Sequence, residues 1–138
     1  MSERTELNRQ VIEEFRSSGG QVGGPYDGIP LLLLTTVGAR SGDRHTRPVM
    51  YLEDGDDLVV FAINGGRPTH PGWYHNLLAA GEATVEVGTE QRTVSPRVAT
   101  GDERDRLWGR QRQVYPGLDQ FQAGKDLVIP VVVLQPRD

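Results

Sequence analysis

Hydrophobic positions along this chain change their period near residue 29. Before it, Leu7, Val11, Ile12 and Phe15 recur three or four residues apart with Glu, Arg and Gln between them, the spacing of one helix face. The pattern predicts a helix over residues 5–17, ended by Ser17-Ser18-Gly19-Gly20. Its stripe suits packing on the domain better than a membrane or an apolar ligand, because the polar face is of mixed charge. Residues 19–28 read as a Gly-rich loop. That loop does not join a strand to a helix, so it is neither a dinucleotide fingerprint nor a Walker loop.

After residue 29 the apolar runs are short and strand-like. They predict strands at 30–36, 47–53, 58–63, 83–87, 90–99 and 128–134. Asp54-Gly55-Asp56-Asp57 and Gly88-Thr89 supply hairpin turns. A short helix near 72–80 ends at Gly81, and another spans about 101–113 with Leu107 and Trp108 facing the core. Thr100 and Glu103 have the spacing of a capping box. Residues 117–124 predict a short helix or turn. No repeat or linker divides the chain, so a single domain over 1–138 is expected, with 1–28 as its N-terminal helix and loop. The fold class is mainly β (α+β). About six strands in hairpin succession favour a closed or partly closed antiparallel barrel, which pattern alone does not separate from a sandwich.

Composition narrows the function. There are 19 acidic and 15 basic side chains, a net charge of −4, which argues against general nucleic-acid binding. No cysteine is present, so disulfides, thiolate zinc and thiol nucleophiles are excluded. The histidines are His45, His70 and His75; the last two are five apart, and no HExxH motif exists, so no metal is expected. No G-x-S-x-G elbow supports hydrolysis. The N-terminus lacks the apolar core of a signal peptide, and no apolar run reaches membrane-span length. A cytoplasmic protein is expected, with room for peripheral membrane contact.

Two segments stand out against the acidic background. Gly38-Ala39-Arg40-Ser41-Gly42-Asp43-Arg44-His45-Thr46-Arg47-Pro48 joins two strand-like runs with three arginines. It reads either as an anion site held on a sheet or as a solvated hairpin. Asn64-Gly65-Gly66-Arg67-Pro68-Thr69-His70-Pro71-Gly72-Trp73-Tyr74-His75-Asn76-Leu77-Leu78 follows a third strand-like run. With the terminal Tyr115-Pro116-Gly117 and the apolar run from Ile129, these blocks, in this order, resemble the deazaflavin (F420)-dependent nitroreductase family of actinobacterial oxidoreductases. The resemblance covers about Ile29 to Pro136.

What the resemblance implies is specific. The fold would be a split β-barrel with peripheral helices. Hydride would pass from reduced coenzyme F420 to a quinone, an activated alkene or a nitro acceptor, with no metal. Ala39, Arg40, Ser41, His45, Thr46, Arg47, Pro48, Val49 and Met50 would hold the phosphate and acidic tail of the cofactor. Phe61, Ala62, Ile63, Asn64, Gly72, Trp73, Tyr74, His75 and Asn76 would hold the deazaflavin ring, although core packing is the simpler role for the side chains of Trp73 and Leu77. Tyr115, Leu118 and Phe121 would line the acceptor site; Leu118 and Phe121 stand where some relatives carry tyrosines, which implies an apolar wall suited to quinones. No catalytic acid is singled out. Two rivals remain at this stage: an FMN-dependent split-barrel reductase, and a non-catalytic protein that binds F420 or an apolar ligand.

Overall fold

The computed structural model describes residues 3–22, 30–63, 70–122 and 128–137, in side-chain detail except at 3–8 and 121. Asn64 and the side chains of Leu7 and Phe121 therefore lie outside what is described.

Six strands close into a barrel. They are β1 (Leu31–Val37), β2 (Arg44–Asp54), β3 (Asp57–Phe61), β4 (Ala83–Val87), β5 (Glu90–Val98) and β6 (Val131–Pro136). Their order around the barrel is β1-β2-β3-β6-β5-β4, every pair antiparallel, and β4 returns to β1. Closure leaves no free sheet edge. Among the described residues, four helices accompany it: α1 (Glu3–Ser18), α2 (Gly72–Ala80), α3 (Gly101–Val114) and α4 (Leu118–Gln122). The tight β2–β3 and β4–β5 turns place Gly55 and Gly88 at φ of 63° and 58°, as two-residue hairpins require.

Strand alternation sorts the apolar residues into separate cores. Leu32, Leu34, Val49, Leu58, Val60, Val85, Val94, Val132 and Leu134 fill the barrel interior. On the outer face of β1 and β2, Leu31 and Leu33 meet Val11 and Phe15 of α1, with Met50 alongside. On the outer face of β3 and β6, Val59, Phe61, Val131 and Val133 meet Leu107 and Trp108 of α3 and Leu118 of α4. Leu77 of α2 joins the interior set, so α2 closes one end of the barrel.

Contacts between elements fix these helices. Arg16 of α1 grips Glu86 of β4 with two hydrogen bonds. Just past α1, Gly20 has φ 101°, and a Cβ there would sit 2.7 Å from the Gly88 Cα. Gly20→Ala combines a left-handed backbone with a backbone clash, so it should cost about 1–3 kcal/mol. A thermal melt unchanged from wild type would show that α1 does not need this close approach. Asp54 binds both Arg106 and Arg110 of α3, and hydrogen bonding from Arg106 holds its carboxyl below the usual aspartate range. Trp108 donates its indole N–H to Asp119, which also takes Arg112.

The element boundaries correct the sequence reading in places. β2 begins at Arg44 instead of 47, because the basic segment pairs with Thr35 to Val37. β3 stops at Phe61, and β6 runs from Val131 to Pro136 instead of 128–134. The capping box does not form. Thr100 sits at the start of α3 with no side-chain cap, and Glu103 turns instead to a two-bond pair with Arg97 of β5. Gly81 does cap α2, at φ 72°.

Candidate functional site

The β1–β2 turn and the described part of the second segment, residues 70–78, meet at the barrel end closed by α2. The β1–β2 turn is tight: Gly38 donates its N–H to the Asp43 carbonyl and accepts from Gly42 N–H. Gly42 takes φ 75°, which glycine adopts without strain. The Ser41 hydroxyl accepts from Asp43 N–H at 3.2 Å. Room for a side chain at Gly38 is lacking, since a Cβ would lie 2.6 Å from Ser41 Oγ and 3.2 Å from His45 Nε2. Ala39 donates its N–H to Asn76 Oδ1 at 3.1 Å. That bond ties the turn to α2 across 37 residues of sequence.

The arginines of this turn differ from the rest. Arg9, Arg16, Arg92, Arg97, Arg106, Arg110, Arg112 and Arg137 all pair with carboxylates. Arg104 donates to the Ile129 carbonyl and covers the Trp108 ring. Arg40, Arg44 and Arg47 are exposed, and among the described residues no carboxylate pairs with them. Arg47 reaches only the Thr46 carbonyl. Three guanidinium groups without a carboxylate partner among the described residues, one on the turn and two at the start of β2, form an anion-attracting surface.

α2 adds to that field. Its first turn contains no acidic residue, and its N-cap, Pro71, offers no side-chain bond. Among the described residues, no N-cap side chain occupies the first N–H groups of the helix, which carry the positive end of its dipole. Trp73 and Tyr74 are half-buried against the interior core, and His75 is exposed. At the same end, the Thr36 hydroxyl is buried and, among the described residues, has no partner. Thr36 stands opposite His45 in the β1–β2 register.

The predicted site residues divide accordingly. Ala39, Arg40 and Ser41 are exposed on the turn, and Gly72, Trp73, Tyr74, His75 and Asn76 lie beside it on α2. His45 and Arg47 share one face of β2 with Val49; Thr46 and Pro48 share the other with Met50. Thr46 shares a hydrogen bond with Thr35 at 2.8 Å. The Val49 side chain is taken up in the interior and Met50 packs beneath α1, so neither side chain is free for a ligand. Phe61 and Ala62 are buried, and Phe61 packs edge-on against Trp108 with centroids 6.1 Å apart. Ile63 is half-buried on the same cluster.

The expectation for Leu118 is corrected. It is fully buried with Leu107, Trp108 and Ile129, so it is core and not an acceptor wall. The short helix α4 turns it inward, where burial of apolar surface favours it. Tyr115 is half-buried at the margin of that core. Sequence reasoning also passed over His70, whose ring rests on Tyr74 and His75.

These groups fit a planar cofactor with an anionic tail. Cations without carboxylate partners would meet the tail, and the α2 N-terminus would meet a carbonyl or charged ring atom. Among the described residues no group of three or more His, Asp or Glu is placed to hold a metal ion, and no helix is long and apolar enough to cross a membrane.

Residues 7–136 match the family model described as F420H(2)-dependent quinone reductase. The chain belongs to that family. It is 34% identical over 127 residues to F420H(2)-dependent quinone reductase Rv1261c of Mycobacterium tuberculosis, covering 89% of this chain and 85% of that protein. A solved structure of an F420-H2 dependent reductase, FDR-A, superposes with TM-score 0.70 at 33% identity, over 77% of this chain and 94% of that one. Another, described as a domain-swapped dimer, reaches TM-score 0.72 at 29% identity over 96% of each chain.

Proposed function

We propose that this protein catalyses transfer of hydride from reduced coenzyme F420 to a quinone. The observation that carries the site assignment is the set of Arg40, Arg44 and Arg47, without carboxylate partners among the described residues, on a turn and strand fastened to α2 by Asn76. Arg40, Ser41 and Arg47, with the Ala39 backbone and His45, hold the phosphate and acidic tail. Gly72 to Asn76 hold the ring, with Trp73 and Tyr74 excluding water from one side. Bound there, reduced F420 supplies hydride from C5. The chain's own contribution is orientation of the two flat molecules and a cationic field along the tail. Tyr115 lies near the end of α3 and is the remaining described side chain proposed for the acceptor side.

Fluorescence titration with F420, FMN and NADPH side by side tests this reading. F420 should bind more tightly than either rival, and the F420H2-loaded protein should reduce menadione. FMN bound as tightly as F420 would favour the FMN reading. Tight F420 binding without turnover on quinones, activated alkenes or nitro compounds would leave a cofactor-binding protein.

A further inference from the structure

His70 is a titratable group at this end of the barrel to which the proposed mechanism gives no task. It lies just ahead of α2 and is half-buried. Its ring centroid is 4.9 Å from that of Tyr74 and 5.8 Å from that of His75. Its Nδ1 is shut away from solvent and, among the described residues, has no hydrogen-bond partner. Buried polar atoms are rarely left in that state; water, an ion or a bound molecule completes them. The ring therefore holds a hydrogen-bonding position that the described residues leave unfilled, next to the α2 residues proposed to hold the deazaflavin.

We infer that His70 is the proton donor to the acceptor; this rests on the F420 reading of the site. Hydride transfer brings a quinone two electrons and one hydrogen and leaves negative charge on its oxygen. The His70 imidazolium passes its Nδ1 proton to that oxygen. Quinone, hydride and proton together make the hydroquinone. The neutral ring regains a proton from water, with the exposed His75 beside it on the solvent side. The proton on the ring nitrogen of the reduced deazaflavin leaves to solvent, so the overall balance closes. Among the described residues, the titratable groups in contact with His70 are Tyr74 and His75 of α2; the turn and strand that Asn76 ties to α2 carry Arg40, Asp43, Arg44, His45 and Arg47.

The experiment compares wild type with His70→Asn, whose amide forms a hydrogen bond near the Nδ1 position but gives up no proton. F420 affinity, measured by fluorescence at each pH, should stay within about threefold of wild type, because the tail carries most of the binding. Menadione kcat/KM should fall about 100-fold, the usual scale of general acid catalysis. The pH dependence of kcat/KM that a proton donor imposes on the wild type should disappear in His70→Asn. A readout without turnover is nitrogen NMR of labelled histidine: menadione added to protein holding oxidised F420 should shift the His70 Nδ1 resonance. If wild type does not bind F420, the reading of the site fails. If F420 binds and His70→Asn retains both rate and pH profile, or Nδ1 does not move, the proton-donor role is overturned. Should His70→Asn fail to fold, the NMR measurement on wild type decides alone.

Discussion

Replacing Arg40 with alanine should weaken F420 binding by about one to two powers of ten. Charge-assisted hydrogen bonds are worth about 1.5–3 kcal/mol each, and 1.4 kcal/mol is about a factor of ten. Arg40 is exposed and without a carboxylate among the described residues. It therefore has no intramolecular partner to release before meeting a phosphate or carboxylate. Arg40→Ala combined with Arg47→Ala should lose more than either alone but less than the sum of the two free energies, since both meet one ligand. Added salt should weaken the wild type and narrow its gap to the variants, because exposed charges are screened. Fluorescence titration at low and high salt checks this. Affinity that ignores both salt and the loss of Arg40 would remove the β1–β2 turn from the anion site.

Leu118→Ala should destabilise the protein by about 2–5 kcal/mol, the cost of emptying a fully buried leucine site. For a chain of this size that is a fall in melting temperature of roughly 8–20 °C. Leu118→Tyr should also destabilise, because the ring overpacks the layer shared with Leu107 and Trp108 and carries a hydroxyl inward. Neither substitution should shift the ratio of quinone to nitroimidazole turnover, compared at temperatures where each variant is folded. A stable Leu118→Tyr protein with raised nitroimidazole turnover would restore this position to the acceptor site.

Leu118 also shows where reading the sequence stopped. The family pattern aligns it with residues over the acceptor, but alignment does not state which way a five-residue helix turns. Burial beneath α3 settled that. Phe61, Val49 and Met50 belong to the same class: their strand positions border the site, while packing claims their side chains. Glu103 had the spacing of a cap, yet Arg97 on a neighbouring strand outcompeted the Thr100 backbone. Spacing along the chain carries no information about which charges folding brings close.

By itself the sequence determined the strand and helix order, both tight hairpin turns, the left-handed stop at Gly81 and the basic turn that marks the site. Each of these follows from local rules: side-chain period, glycine's freedom at positive φ, and the enrichment of one charge within a few residues. Tertiary structure alone decided that the strands close into a barrel through β4 against β1. It alone decided that Asn76 fastens the basic turn to α2, and that, among the described residues, eight arginines pair with carboxylates while Arg40, Arg44 and Arg47 do not. The His70 Nδ1 is left open in the same way, by which groups reach it in space. These outcomes depend on contacts between residues far apart in sequence, and only the closed barrel sets those distances.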